Sequence, residues 1–447
     1  MAPVLSLRKI GLMERYHSTR HFLGLDSCVV SSAQYTTQDG VVLTKNVLFP
    51  ALRKTIEAHA ALGLRLDGDE STGNVYLVRL PSVDLSRIVE FSLGKHDLEK
   101  AYEGQLVRRF ETQGDLPLWR VEVLEDNTVI FAVHHTVCDG MSSIVFHLSL
   151  FEALQKTDNR DTSPIVQVPT TTVLYPPIER ATNVRPSLRT VCGMLYTLVA
   201  PVAWTKVRSA WTGPSSPSTP NLITHVRIIT LPAAEVQALC TAARTHGATL
   251  TSTVYALAVS VLSRMLASDP GLADAGYTRI GTGVAISLRG VAGLPADVFC
   301  DYPSVFHELA RVTPAFAWSE AARVAAVLRE QKRKGVEMIG MLRFISGDYV
   351  SYMKSHLGAK RESGFCVSNL GRIQPPGVRG KWTIGRTVFG QCDVVTAAAF
   401  NINVTGDPTG AVNIAFTWGE ISLDTSFVEE FITRFREGFE VIAGNGS

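Results

Sequence analysis

The order of apolar and polar positions predicts strands and helices that follow one another without regular alternation. Residues 129–133 are all apolar, which is typical of a strand buried on both faces. Residues 249–266 are apolar on nearly every helical face apart from Ser and Thr, so they predict a buried helix. The predicted strands are 28–35, 75–80, 88–91, 118–124, 129–133, 224–231, 279–289, 364–369, 397–404 and 411–418. The predicted helices are 45–62, one that opens at Ser142, 233–246, 249–266, 320–334 and 427–442.

The segment between residues 157 and 220 interrupts this pattern. Prolines are frequent at both of its ends, which is typical of a linker between two folded halves. A chain of 447 residues exceeds one ordinary hydrophobic core, so two domains are expected, each of the α+β class. Within the linker, residues 191–204 predict an apolar helix that is too short to span a bilayer. It packs on the protein or, alternatively, makes a peripheral contact with a membrane or lipid surface.

Charge and cysteine content narrow the class of protein. The chain has 43 Lys and Arg against 41 Asp and Glu, a net charge of +2, so bulk charge gives no indication of nucleic acid binding. Its seven cysteines are widely spaced and odd in number, which favours free thiols in a reducing compartment. The first 18 residues lack the apolar core of a signal peptide, and no apolar run reaches transmembrane length. We therefore expect a cytoplasmic enzyme.

Candidate chemistry lies where the predicted strand 129–133 ends. His134 and His135 follow the strand directly, Asp139-Gly140 predicts a turn, and the helix opens at Ser142. A neutral imidazole can take the proton of an alcohol while the alcohol attacks a carbonyl carbon. Because adjacent residues of a strand face opposite sides, only one of the two histidines can face the reacting groups.

Residues 134–140, His-His-Thr-Val-Cys-Asp-Gly, resemble the HHxxxDG motif of the CoA-dependent acyltransferase superfamily. Three shorter segments resemble its fungal alcohol O-acetyltransferase branch, namely residues 14–21, 249–251 and 368–371. The resemblance implies two chloramphenicol-acetyltransferase-like (CAT-like) domains that form a pseudo-dimer with an active-site tunnel between them. The N-terminal domain would be 1–170 and carry HHxxxDG, 171–220 would be the linker with its apolar helix, and 221–447 would be the C-terminal domain. It also implies a helix near 14–22 against the tunnel.

The resemblance implies roles for several residues. His135 is the expected general base, and His134 points into the fold and anchors the loop. Asp139 could orient the base or cap the following helix, but the family pattern favours a structural ion pair with Arg289. Gly140 leaves room for a thioester arm. For the oxyanion and the tunnel lining, the candidates are Ser368, Asn369, Thr249 and Thr251; for the two threonines, plain helix caps remain equally open.

The expected function is transfer of an acetyl group from acetyl-CoA, a co-substrate, to the hydroxyl of a small-molecule alcohol or secondary metabolite. The enzyme is expected to be a monomer with no permanently bound cofactor. Metal ligation by His134, His135 and Asp139 is disfavoured because neighbouring strand residues diverge, and Cys138 is expected to be a bystander thiol. Two alternatives stay open. One is a condensation-domain-like enzyme that uses an acyl donor bound to a carrier protein, and the other is a non-transferase on the same scaffold.

Overall fold

The structure is a computed structural model that describes residues 6–92, 94, 97–156, 161–199, 207–345, 348–377 and 380–444. The α-helices are α1 Leu12–Phe22, α2 Lys45–Ala58, α3 Leu85–Ile88, α4 Leu98–Val107, α5 Gly140–Lys156, α6 Ile178–Ala181, α7 Leu188–Val199, α8 Ala233–Thr245, α9 Leu250–Ser268, α10 Pro270–Asp274, α11 Trp318–Met341, α12 Tyr349–Lys354 and α13 Thr425–Gly444. The strands are β1 Ser6–Lys9, β2 Val29–Thr37, β3 Leu64–Asp69, β4 Asn74–Arg79, β5 Ser82–Asp84, β6 Val89–Ser92, β7 Trp119–Leu124, β8 Thr128–Val133, β9 Ile165–Gln167, β10 Ala210–Trp211, β11 Thr224–Leu231, β12 Arg279–Ser287, β13 Pro303–Arg311, β14 Ser363–Arg372, β15 Trp382–Gln391, β16 Ala398–Gly406 and β17 Val412–Gly419. Short 3₁₀ turns follow α2 and α11, at Ala60–Gly63 and Leu342–Ile345.

The N-terminal lobe is built on a five-stranded sheet in the order β15-β2-β8-β7-β6. Strand β8 is buried on both faces, as its unbroken apolar run predicts. Alternate side chains Val129 and Phe131 enter the core beneath α5, while Ile130 joins the cluster beneath α4. The strand therefore forms a rigid mount for the residues that follow Val133.

The C-terminal lobe is built on a seven-stranded sheet in the order β10-β12-β14-β16-β17-β11, with β13 paired to β12. Helix α9 packs against α11 and α13, and its side chains belong to the main core of this lobe. By length and composition α9 could cross a membrane, although the sequence predicted no segment of that length. However, 78% of its most apolar window is buried, so it is the core helix that the sequence predicted.

Strand β15 joins the two lobes. It comes from the second half of the chain, yet it pairs antiparallel with β2, from Gln391 opposite Val29 to Trp382 opposite Thr37. The predicted division into consecutive domains 1–170 and 221–447 therefore does not describe this strand. The physical reason is that β2 would otherwise be a sheet edge with unpaired backbone groups, and β15 covers it.

Helix α7 is the part of the predicted apolar linker helix that the structure describes, since residues 200–204 lie outside the described ranges. Glu337 of α11 accepts a hydrogen bond of 2.8 Å from the hydroxyl of Ser187, just before α7. Met194 of α7 lines the cavity between the lobes, whereas Leu195 is 53% exposed. The helix thus packs on the protein along one side and presents apolar side chains to solvent along the other.

Candidate active site

A cavity of about 540 Å³ lies between the two lobes. The N-terminal lobe contributes α1, the loop after β8 and the start of α5, and the C-terminal lobe contributes β12, β13 and β14. The end of α11 and strand β15 complete the wall. The two lobes with a cavity between them, expected from the sequence, are therefore present.

His134 and His135 leave β8 in opposite directions, as adjacent strand residues must. The side chain of His135 is 20% exposed and lines the cavity. His134 is buried, its ring lies 4.3 Å from that of His21, and its Nδ1 accepts a hydrogen bond from the Thr136 backbone N–H. Burial, reinforced by the neighbouring histidines, holds the pKa of His134 well below its usual value. His134 therefore braces the turn as a neutral ring.

Asp139 and Arg289 form a buried, bidentate ion pair with N···O distances of 2.5 and 2.7 Å. The same carboxylate accepts a 2.9 Å hydrogen bond from the Ser142 backbone N–H and so caps α5. The ion-pair and helix-cap interpretations of Asp139 thus describe one and the same group. Burial alone would raise the pKa of Asp139, but Arg289 outweighs it and the pKa lies below its ordinary value.

The carboxylate that contacts His135 is that of Asp301, in the loop between β12 and β13. Asp301 Oδ1 lies 3.2 Å from His135 Nδ1 and 3.7 Å from His17 Nε2. The rings of His17 and His135 stack with their centroids 3.7 Å apart and their planes within 3° of parallel. Sequence reasoning assigned no role to Asp301, which lies 166 residues from His135 and in no recognised motif.

His17 and His21 lie on α1 and are both buried. His17 is only 3% exposed, and His21 is buried against His134. The helix itself is present as α1 and lies against the cavity, as the resemblance implied. The family-like segment 14–21 was the signal that could have placed His17 in the site.

The pKa values of Asp301, His135 and His17 are shifted differently by their surroundings. Burial raises the pKa of Asp301 to about 7, although the hydrogen bond to His135 works against this rise. Burial would lower the pKa of His135, but the hydrogen bond and charge of Asp301 outweigh it, so the net shift is upward. Burial, with the charge of His135 next, holds the pKa of His17 well below its usual value. The pKa of His135 therefore lies above that of His17.

Of the remaining predicted residues, Gly140, Ser368 and Asn369 line the cavity. A Cβ on Gly140 would approach Leu370 Cδ2 to 2.9 Å, so the glycine keeps this passage open. The Asn369 side-chain amide donates a 2.9 Å hydrogen bond to Thr251 Oγ1.

Thr249 and Thr251 were candidates for the tunnel lining. Among the residues that the structure describes, neither belongs to the cavity wall. Thr249 is the N-cap of α9 and accepts a hydrogen bond from the Ser252 backbone N–H. The helix-cap interpretation therefore holds for Thr249, because its hydroxyl accepts a backbone N–H of the first helical turn. Thr251 instead accepts the hydrogen bond from the Asn369 side chain.

His17, His135 and Asp301 place their ligand atoms within 4.8 Å of one another, a spacing that a divalent cation could bridge. Metal ions bind imidazole close to the ring plane, and two parallel rings do not direct their lone pairs at one point. The arrangement suits stacking and hydrogen bonding better than coordination. His134 and Asp139, the other residues weighed as ligands, have the contacts described above.

Comparison with known proteins gives a consistent result. A family model described as alcohol acetyltransferase matches residues 104–296. The "probable alcohol acetyltransferase FCK4" of Fusarium pseudograminearum is 23% identical over 95% of this chain and 92% of its own length. The "probable alcohol acetyltransferase crmB" of Aspergillus fumigatus is 24% identical over 96% of this chain and 97% of its own. Among solved structures, the TRI3 trichothecene 15-O-acetyltransferase of Fusarium sporotrichioides superposes with a TM-score of 0.70 at 13% identity, covering 98% of this chain and 94% of that one.

The fold is that of two CAT-like lobes, and condensation domains share it. Residues 104–296 match the alcohol acetyltransferase model, and the two fungal relatives match the chain over nearly its full length. These matches support an acetyltransferase that transfers acyl groups to alcohols, as the sequence resemblance implied.

Proposed function

We propose that this enzyme transfers an acetyl group from acetyl-CoA to the hydroxyl of a small-molecule secondary metabolite, with His135 as the general base. The observation that carries the proposal is the position of His135, at the wall of a cavity shared by the two lobes, with Nδ1 already facing a carboxylate. When Asp301 is ionised it can only accept a hydrogen bond, so in that state the proton of the neutral His135 ring sits on Nδ1 and Nε2 is left as the base.

In the proposed reaction, His135 Nε2 takes the hydroxyl proton while the alcohol oxygen bonds to the thioester carbonyl carbon. The carbonyl oxygen becomes an oxyanion, for which Ser368 and Asn369 are the candidate donors because both line the cavity. When the oxyanion collapses, the carbon–sulfur bond breaks and the CoA thiolate takes the proton from His135. Both substrates are bound together, and no covalent acyl-enzyme forms.

The wall of the cavity supports a sizeable apolar acceptor. Five of the chain's eight methionines line it, at positions 13, 141, 194, 338 and 341. Methionine side chains are unbranched and adapt to irregular apolar shapes. The volume of about 540 Å³ falls within the range of about 300–1,000 Å³ that is usual for sites that hold drug-sized ligands. We therefore propose a polycyclic or long-chain hydroxylated metabolite as acceptor, and not a short alcohol.

For the donor, we propose free CoA thioester in the cytoplasm. Lys332, Arg333 and Lys334 are exposed on α11, and Lys334 stands one turn before Met338, which lines the cavity. This cluster can meet the phosphates of CoA at the mouth of the tunnel. A second basic pair in the sequence, Lys360 and Arg361, is not available for this role, because Arg361 is buried and donates to the Val395 carbonyl and Ser422 Oγ.

The test is mass spectrometry of reactions that contain acetyl-CoA and a panel of alcohols of graded size, with no carrier protein present. Purified enzyme should release CoA thiol and form the ester of a bulky acceptor, and His135→Ala should lose on the order of 10²–10⁴ in rate. His246→Ala is the matched control, since His246 is an exposed histidine that stacks on Trp318 in the C-terminal lobe.

Two outcomes would contradict the proposal. A His135→Ala variant that keeps most of the wild-type rate would exclude His135 as the base. Turnover that requires an acyl group tethered to a carrier protein would instead favour the donor used by condensation domains. This outcome is worth testing because condensation domains, such as that of the monacolin K polyketide synthase MokA, share the fold.

A further inference from the structure

We infer that Asp301 and His17 are positioning residues for His135: Asp301 fixes which ring nitrogen carries the proton, and His17 fixes the plane of the ring. The inference rests on the proposed role of His135 as base. Nothing in the HHxxxDG motif supplies these two groups, because they come from the β12–β13 loop and from α1.

The first argument is how firmly Asp301 is held. The backbone of Cys300 accepts a hydrogen bond from the Asp139 N–H and donates one to Ser142 Oγ. On the other side, the Tyr302 N–H donates to Asp139 Oδ2. Residues 300 and 302 are thus both tied to the loop that carries His135, so Asp301 is clamped between them.

This clamp explains how the motif aspartate can act on the base without touching it. Asp139 pairs with Arg289 and so fixes the backbone on both sides of Asp301. Asp301 in turn reaches His135 through its side chain. The ion pair of the motif therefore positions the carboxylate that orients the base.

The second argument is the local charge balance around Asp301. Its side chain is fully buried, and its Oδ2 has no hydrogen bond partner within the described parts of the chain. The acidic neighbours Asp139 and Glu14 are already paired, with Arg289 and Arg8 respectively. Among the groups in contact with Asp301, His135 is therefore the one that can offset its charge.

The third argument concerns His17. Neither of its ring nitrogens has a hydrogen bond partner among the described residues, and the side chain is buried, so the ring stays neutral. A neutral ring stacked at 3.7 Å tolerates a proton on His135, whereas a second imidazolium there would repel it. The stack also leaves His135 little freedom to rotate out of its plane, which keeps Nε2 directed at the cavity.

The test starts with Asp301→Asn, because an amide has nearly the same shape and can present an N–H to Nδ1, which would move the ring proton to the wrong nitrogen. We expect kcat to fall on the order of 10²–10⁴, the usual share of a general base, because the base is then held in the wrong tautomer. Asp301→Glu keeps the charge and should recover part of the loss. Asp393→Asn is the control, since Asp393 is another buried aspartate whose pKa burial raises, to about 6, and it bonds Ser422 in the C-terminal lobe.

The readout that separates positioning from simple structural damage is the pH dependence of kcat. The charged or titratable groups around His135 are Asp301, Asp26, Arg20, His17, His134 and Asp139. Asp301 raises the pKa of His135, so removing its charge should lower that pKa and move the acidic limb of the profile to lower pH. A merely destabilised enzyme would lose rate without this shift.

The stacking role of His17 is tested with a pair of variants. His17→Phe keeps a flat ring and removes both nitrogens, whereas His17→Ala removes the ring itself. Phe should retain kcat within about 10-fold of wild type, and Ala should lose clearly more, because only Ala frees the His135 ring to turn. Equal losses in the two variants would overturn the stacking role.

Other outcomes would also overturn the inference. Wild-type kcat in Asp301→Asn, or a loss with no shift of the acidic limb, would remove Asp301 from the mechanism. Activity abolished by a chelator and restored by zinc would make the three residues a metal site instead. If His135→Ala itself remained active, the proposed function would fail first. If only Asp301→Asn and the His17 variants were silent, this inference alone would fail.

Discussion

Breaking the buried ion pair between Asp139 and Arg289 should lower the free energy of unfolding of the protein. Any loss of activity should follow from this loss of stability and not from a direct role in the reaction. Arg289→Met keeps the length of the side chain but leaves the Asp139 carboxylate buried without its cation. The carboxylate keeps the hydrogen bonds from Ser142 and Tyr302, but these are dipoles and do not neutralise its charge. Removing one partner of a buried pair typically costs about 3–5 kcal/mol, so we expect a loss of that size in the free energy of unfolding.

Asp139→Ala should lower the free energy of unfolding more than Arg289→Met does. It leaves the Arg289 guanidinium buried without its anion and also removes the N-terminal cap of α5. A lost cap adds about 1 kcal/mol. The double variant should cost less than the sum of the two single changes, since it leaves no unpaired charge. The measurement is urea unfolding followed by intrinsic fluorescence, with acetyl transfer assayed on the fraction that remains folded.

A matched control exists on the surface. Arg87 and Asp115 also form a bidentate pair, at 2.5 and 3.0 Å, but both side chains are exposed. Arg87→Met should therefore leave the unfolding midpoint almost unchanged.

The pH dependence has a definite sign. The pKa of Asp139 is lowered in the folded protein, so its stabilisation is complete above the unfolded value and is lost as pH falls through the folded value. Arg289→Met should flatten this acidic loss of stability. If Arg289→Met unfolds at the same urea concentration as wild type, the pair does not hold the loop and the reasoning is refuted.

Three further predictions concern single residues. Gly140→Ala should lower kcat/KM on the order of 10-fold, about 1.4 kcal/mol, because the new methyl group meets Leu370 where the passage is tight; an unchanged kcat/KM beside an unchanged melting temperature would contradict this. Lys334→Glu should raise the KM for acetyl-CoA several-fold at low ionic strength and much less in about 0.5 M salt, and steady-state kinetics at both salt concentrations would show whether the effect is electrostatic. Thr249→Ala should cost about 1 kcal/mol in urea unfolding through the lost cap of α9 while kcat stays at the wild-type value, and a loss of kcat would return this threonine to the tunnel.

Sequence patterns located the elements whose identity depends on their own residues. The predicted strand 224–231 coincides with β11, and the run 129–133 is the two-faced strand β8. The buried helix 249–266 is α9, with its predicted cap in place. Local periodicity predicts such elements correctly because the spacing of the apolar side chains in a segment indicates which of its faces is buried.

Contacts between residues far apart in the sequence were not predicted. Strand β15 was not predicted, since its residues alternate weakly and it exists because β2 offers an open edge. Lys360 and Arg361 form an obvious basic pair in the sequence, yet the Arg361 guanidinium is buried between Val395 and Ser422. Charge clusters indicate exposure on average, but they do not reveal which of their members find buried acceptors.

The sequence by itself determined the heptapeptide that presents His135 on a rigid strand, together with the apolar segments that form the two lobes. Only the tertiary structure decided what surrounds that imidazole. Asp301 and His17 lie on separate elements, far from His135 along the chain, and they meet it because the β12–β13 loop and α1 pack against the same cavity. The environment that tunes a base is set by groups distant in sequence, since it depends on which surfaces pack together and not on the residues beside the base in the chain.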